Sequence, residues 1–152
     1  MHRDISRNNL MYRKIDGKVY GVLNDFDLSV LWNKEPRSTS KQRIGTEPYM
    51  AVDLLVVGPP PPHLYRFDLE SLFYVVAYGT ISPQPLSVHI HLQRLTLLLH
   101  KMFRDAYNAR TDAQTLAFLD SSPTDFKDDT VDRLITFDKF EKIFVTHLPS
   151  SA

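Results

Sequence analysis

Cysteine is missing altogether from this 152-residue chain, which excludes a disulfide framework, a cysteine nucleophile and thiolate zinc sites together. A dominant charge is missing too. Eighteen basic residues balance 18 acidic ones, and a neutral chain lacks the broad electrostatic attraction on which non-specific nucleic-acid binding depends. No nucleic-acid partner is expected. No apolar run approaches the roughly 18 to 20 residues of a membrane span. The N-terminus reads Met1-His2-Arg3-Asp4 instead of a basic stretch leading into an apolar one. The expectation is an intracellular protein, cytoplasmic or nuclear, with no membrane partner. What is present, 43% hydrophobic and 11% aromatic residues, is enough for the packed core of one ordinary domain, so wholesale disorder is excluded as well.

Residues 9 to 28 hold the clearest local signal. Leu10-Met11-Tyr12 and Val19-Tyr20-Gly21-Val22-Leu23 flank Asp16-Gly17, and Asp-Gly between two β-prone runs marks a hairpin, placed at residues 9 to 24. Leu28 to Thr46 is polar, with Asn33, Pro36 and Ser38-Thr39-Ser40 among scattered cations. A domain keeps so long a structureless loop when the loop has work to do. Asp53 to Val57 reads as a short helix or strand, and Pro59 to Pro62 form a spacer that blocks any regular hydrogen-bonded element. Asp68 to Tyr78 is apolar on almost every side past its acidic first turn, with Gly79 at the position of a C-cap. That predicts a helix buried all round. Leu92, Leu95, Leu99, Met102, Phe103 and Ala106 share one stripe and predict a helix from about Leu92 to Tyr107. Leu134, Phe137, Phe140, Phe144 and Leu148 repeat the pattern over Val131 to Leu148. The expected fold class is mainly α with a small β-hairpin.

Three short segments carry the chemistry: His2 to Asn9, Asn24 to Asp27, and Gly45 to Ala51. Asp4 and Asn9 stand five residues apart on a tight loop, and the hairpin after them returns Asp25 to their side. Two carboxylates and an amide then converge. This is hard-oxygen ligation suited to Mg²⁺, with one carboxylate left to accept a proton from an attacking hydroxyl. Phosphoryl transfer is the reaction class it suits. Singly, an aspartate near an asparagine is more often a turn or a cap; the order and spacing of the whole set carry the weight. His89, His91 and His100 make no metal site, because on a helix the first two lie about 200° apart and no third ligand stands at a familiar spacing.

His2-Arg3-Asp4-Ile5-Ser6 with Asn8-Asn9, the Gly21 to Leu28 strand with Asp25-Phe26-Asp27, Tyr49-Met50-Ala51, and Leu64-Tyr65-Arg66 before Asp68-Leu69-Glu70-Ser71-Leu72 form such a set. With them the chain resembles the C-terminal lobe of a eukaryotic protein kinase, in particular the fungal-specific protein kinase family. The resemblance runs from residue 2 to about 78 and is faint afterwards. It implies a partial kinase domain over residues 1 to 148, with a catalytic loop at 2 to 9, a metal-binding D-F-D at 25 to 27, an activation segment at 28 to 53, the buried helix at about 68 to 78 and C-terminal helices at about 92 to 148. It implies that Asp4 orients the substrate hydroxyl and takes its proton, that Asn9 holds a metal ion, and that Asp25 grips Mg²⁺ on the phosphates of ATP. Arg3 would face the activation segment and pair with a phosphate or an acidic side chain there. Ser38, Thr39 and Ser40 are the candidate phosphosites, although such residues beside prolines and cations are also ordinary loop composition. Thr46, Pro48 and Tyr49 would form the wall that receives a protein substrate. Asp53 would replace the glutamate that many kinases pair with a distant arginine. Asp68 would bond the backbone of the catalytic loop, and a helix N-cap explains an aspartate there almost as well.

Two departures stand out. Ser6 occupies the position of a lysine common in serine/threonine kinases, and Asp27 that of the glycine in D-F-G; both are usual in the fungal group. Gly17, Gly21, Gly45, Gly58 and Gly79 form no cluster, so the glycine-rich loop, strand lysine and helix glutamate with which a kinase N-terminal lobe grips ATP are missing. The expectation is therefore a kinase-like C-lobe with the N-lobe absent, serine/threonine in preference and nearly inactive alone. Exposed apolar surface and an unpaired strand edge would remain, open to a docking partner. Two alternatives stand beside it: a non-catalytic interaction fragment, and a small-molecule phosphotransferase of the aminoglycoside or choline kinase type. Gly45 to Ala51, a peptide-receiving stretch those enzymes lack, speaks against the second.

Overall fold

Asp16 and Gly17 both take positive φ, 49° and 80°, the conformation that a two-residue turn needs to match the twist of paired strands. They join β1 (Leu10–Ile15) to β2 (Lys18–Leu23), antiparallel, in a register running from Leu10 opposite Leu23 to Ile15 opposite Lys18. The computed structural model describes residues 1–31, 44–124 and 126–147. The activation-segment candidates Ser38, Thr39 and Ser40 lie outside them. The chain divides into two compact units, Met1–Val75 and Val76–Ala152.

In the first unit, single 3₁₀ turns at Arg7–Asn9, Glu47–Tyr49 and Val52–Leu54 punctuate the loops. The helix α1 (Tyr65–Gly79) follows the proline spacer. It starts three residues before Asp68, so Asp68 sits in its first turn and is not an N-cap. Burial all round holds for its first half, where Arg66 to Ser71 and Phe73 are buried, whereas Tyr78 near its end is 45% exposed. Ala51, Leu54 and Phe67 form the core cluster, with Leu64 packed against it; burying one such large side chain is worth about 1.5–3 kcal/mol. The hairpin contributes nothing comparable, since Met11, Tyr12, Ile15, Val19 and Tyr20 are all exposed.

In the second unit, α2 spans Leu86–Leu119 and α3 Phe137–His147. The apolar stripe that predicted a helix over 92 to 107 marks only its buried part, Leu95, Leu99, Phe103 and Ala106. At the front, Pro85 stands just before the helix, where a missing N–H leaves nothing unpaired. At the back, Asn108 to Leu119 lacks an apolar period but holds Ala109, Ala113, Ala117, Leu116 and Leu119 with Arg110 and Gln114, good helix formers whose propensity continues the helix. The last helix starts six residues later than its pattern suggested. Val131, Asp132 and Arg133 hold φ of 48°, 52° and 65°, a left-handed turn that buries Val131 and Ile135 and prevents α3 from beginning earlier. The fold is thus, among the described residues, mainly helical with one two-stranded antiparallel sheet. Among the described residues no helix is long and apolar enough to cross a membrane.

Candidate functional site

The loop from His2 to Asn9 is held from below by α1. One Asp68 oxygen accepts the backbone N–H of His2 at 2.7 Å and the other that of Arg3 at 2.8 Å. His63 Nε2 lies 3.2 Å from the second oxygen, its ring edge-on to Phe67 at 5.4 Å. Burial alone would push the Asp68 carboxyl up. The hydrogen bond and electrostatic attraction of His63, with the amides of Arg3 and His2, outweigh that and hold it below its ordinary value of 3.8.

Above Asp68 the loop is tied sideways. His2 Nε2 faces the Asn24 carbonyl at 2.9 Å while its Nδ1 faces the Asp4 N–H at 3.4 Å. A tautomer carrying its proton on Nε2 satisfies both. The ring also meets Phe26 edge-on at 4.9 Å. Arg3 takes φ 74°, and its carbonyl lies 3.2 Å from where a Cβ on Gly45 would stand. Gly45 itself sits at φ 126°, so this close approach of two loops requires glycine.

Asp4 is the best-held side chain of the set. Its Oδ1 accepts both the backbone N–H of Thr46 at 2.9 Å and the Thr46 hydroxyl at 2.8 Å. Asn9 Nδ2 donates to the Asp4 carbonyl at 2.9 Å and to Asp4 Oδ2 at 3.2 Å. Because both partners are acceptors, the NH₂ end of Asn9 must face Asp4. The amide oxygen of Asn9 is left without a hydrogen bond among the described residues. Asp25 is exposed and held at φ 61°. No hydrogen bond joins it to Asp4 or Asn9; it is placed beside them by the backbone, where Asn24 N–H donates to the Asn9 carbonyl at 2.9 Å. Two oxygen donors and no sulfur suit a hard cation that takes its remaining ligands from phosphate and water. Among the described residues no three or more His, Cys, Asp or Glu side chains are placed so that they could hold a metal ion together.

Of the remaining candidates, Thr46 and Tyr49 line a small cleft with Arg3, Asp4 and His63, while Pro48 is exposed on the adjoining turn. Arg3 Nε is buried with no hydrogen-bond partner among the described residues. Asp53 Oδ2 meets Arg66 Nη2 at 2.5 Å. This arginine stands 13 residues away along the chain.

His63 carries no signal in the sequence, and Arg66 and Glu70 stand there only as part of the family motif, without a role. Glu70 accepts the Val52 N–H at 2.9 Å and the Tyr74 hydroxyl at 2.7 Å; burial and that neighbouring carboxylate push the Tyr74 phenol up. The Glu70 to Tyr74 pair stands at helical i,i+4 spacing and was discoverable. Nothing in the spacing of His63 and Asp68, or of Asp53 and Arg66 across four prolines, signals contact.

No curated protein and no solved structure matches the chain. The family described as fungal protein kinase matches residues 1–80, a stretch that includes every side chain of this site and more than half of the 152 residues. On that match, the chain belongs to the fungal protein kinase family.

Proposed function

We propose that the chain is the substrate- and metal-binding half of a protein kinase that transfers the terminal phosphoryl group of ATP to serine and threonine hydroxyls. One observation supports this above the others: Asp4, the candidate base, is fixed by Thr46 on one oxygen and Asn9 on the other. A carboxylate so oriented accepts a hydroxyl proton without first reorganising. Asn9, through its amide oxygen, and Asp25 would hold Mg²⁺, which when bound neutralises charge on the phosphates. Arg3, whose buried Nε has no hydrogen-bond partner among the described residues, would receive a phosphate or carboxylate of the activation segment. Thr46, Pro48 and Tyr49 would line the path of the substrate peptide.

Radiolabelled phosphate transfer from Mg-ATP to a serine/threonine peptide mixture tests this, with the chain alone and with a glycine-rich, lysine-bearing kinase N-terminal lobe added. The chain alone should stay near background, and the added lobe should restore transfer. Asp4→Asn should then reduce transfer by roughly 10² to 10⁴. Transfer equal in wild type and Asp4→Asn would overturn the proposal.

A second reading, a non-catalytic interaction module, is favoured by the exposed apolar hairpin, where Tyr12 is 78% and Val19 67% exposed. Light scattering and dye binding that show a monomer without apolar surface would count against it.

A further inference from the structure

The second unit holds a feature that the phosphoryl-transfer reading does not use. Between α2 and α3 lies an open trough of about 380 Å³, lined by Met102 of α2 and by Lys139, Lys142, Ile143, Thr146 and His147 of α3. Its floor, Met102 and Ile143, is apolar, its rim is basic, and no carboxylate lines it. All six residues fall outside the 1–80 stretch that carries the family match.

The charge on α3 is sorted by face. At about 100° per residue, Phe137, Phe140 and Phe144 share one side, with Phe140 buried. The acids Asp138 and Glu141 lie with Val145 on a second, and Lys139, Lys142, Ile143 and Thr146 share the trough side. Asp138 and Lys142 are i,i+4 neighbours, the spacing at which opposite charges pair on a helix, yet no ion pair joins them among the described residues, and Lys139 has none either. Elsewhere in this unit acids and bases do pair: Lys101 and Arg104 with Asp105, and Arg110 with Asp128. The trough therefore presents two ammonium groups that form no ion pair among the described residues, beside an apolar floor.

We infer that this trough docks a short acidic segment of a partner protein, seating one large apolar side chain on Met102 and Ile143 with flanking carboxylates on Lys139 and Lys142. The two lysines are i,i+3 neighbours, with Cβ atoms about 5–6 Å apart, which matches carboxylates on either side of a single anchor residue. Methionine at the floor adapts to anchors of different shape. An anionic membrane shares the charge but needs a broad basic face, and Asp138 and Glu141 on the adjoining side of α3 would repel it. The inference does not depend on the kinase reading.

Fluorescence anisotropy of a fluorescein-labelled peptide, with glutamates flanking a leucine-phenylalanine pair, titrated with the full chain, tests it. Saturable binding that weakens with added salt is expected. Lys139→Glu with Lys142→Glu should weaken it about tenfold or more. These side chains are exposed; should circular dichroism show the double reversal unfolded, Lys139→Gln with Lys142→Gln replaces it, with a severalfold loss expected. Lys14→Glu with Lys18→Glu, on the exposed hairpin of the first unit, should bind as wild type does, and a loss there would place the peptide in the first unit and overturn the inference. So would absence of saturable binding, binding indifferent to both lysines, or flotation with phosphatidylserine vesicles in place of peptide binding.

Discussion

Both donors of Thr46, its backbone N–H and its hydroxyl, converge on a single oxygen of Asp4, at 2.9 and 2.8 Å, across 42 positions of sequence. The second Asp4 oxygen takes the Asn9 amide at 3.2 Å. Three donors on one carboxylate leave it little rotational freedom while some of its roughly four lone-pair sites stay open. The polar loop that carries Thr46 and the loop that carries Asp4 are therefore coupled through one side chain.

That coupling can be measured. Thr46→Val keeps the shape and the backbone donor and removes the hydroxyl, and should lower unfolding stability by about 0.5–1.5 kcal/mol. Asp4→Ala strands both Thr46 donors and the Asn9 amide and should lower it more. In a double-mutant cycle by urea denaturation the two should be non-additive, because each removes the same bond. Additive losses would show that the hydroxyl contact contributes nothing.

Asp68 gives a pH signature. Its folded pKa lies below the ordinary value of 3.8, so the stability it supplies is fully present above the unfolded value and is lost as pH falls through the lower folded one. Asp68→Asn should be less stable near neutrality, since it keeps one oxygen acceptor but turns an NH₂ group toward the second of the two backbone donors, at a cost of about 1–3 kcal/mol for the donor left unpaired. It should also flatten the acid limb of the stability profile below about pH 4. His63 is separable from Asp68: His63→Gln keeps a donor and should preserve amide-exchange protection at His2 and Arg3, whereas His63→Ala should reduce it. Equal protection in both variants would remove His63 from the support of the loop.

The parts of this chain that were legible in its sequence are those whose cause is local. Asp16-Gly17 announces a hairpin because few residues tolerate two successive positive φ values, and the Leu95, Leu99, Phe103 and Ala106 stripe announces the buried side of α2. The ends of α2 were hidden because they are set by propensity and by Pro85 instead of burial. The left-handed turn at Val131 was hidden because a β-branched residue is a poor candidate for it, and the burial of Val131 and Ile135 overrides that preference. Within the site, Asp4, Asn9 and Asp25 declare themselves by order along the chain. His63, Arg66 and Glu70 act on loops that only the fold brings to α1.

Arg66 illustrates how much rests on such a hidden partner. Its side chain is fully buried, against 19% exposure for Asp53, and its guanidinium lies 4.6 Å over the Phe67 ring. Removing a partner from a buried pair costs about 3–5 kcal/mol, and the partial exposure of Asp53 argues for the lower end. Asp53→Ala should therefore lower thermal stability markedly, while Asp53→Asn, which keeps an oxygen acceptor, should lose less. Equal losses in the two variants would mean that the charge of Asp53, and not its shape or its oxygen acceptor, holds the turn to α1.

Gly45 sets the last expectation, because two independent reasons forbid a side chain there. Its φ of 126° lies where residues with a Cβ are strained, and a Cβ would stand 3.2 Å from the Arg3 carbonyl, a backbone atom held in place by the Asp68 bond to the Arg3 N–H. The neighbour cannot move aside cheaply. Gly45→Ala should thus cost about 1–3 kcal/mol, and relief of the clash should displace Thr46 from Asp4. Nuclear magnetic resonance would show this as shifted Thr46 and Asp4 amide signals. Gly17→Ala, also at positive φ but with open space around it, should leave those signals unchanged. If Gly17→Ala and Gly45→Ala destabilise equally and neither disturbs Asp4, backbone conformation alone explains Gly45, and its contact with Arg3 has no part in placing the carboxylate.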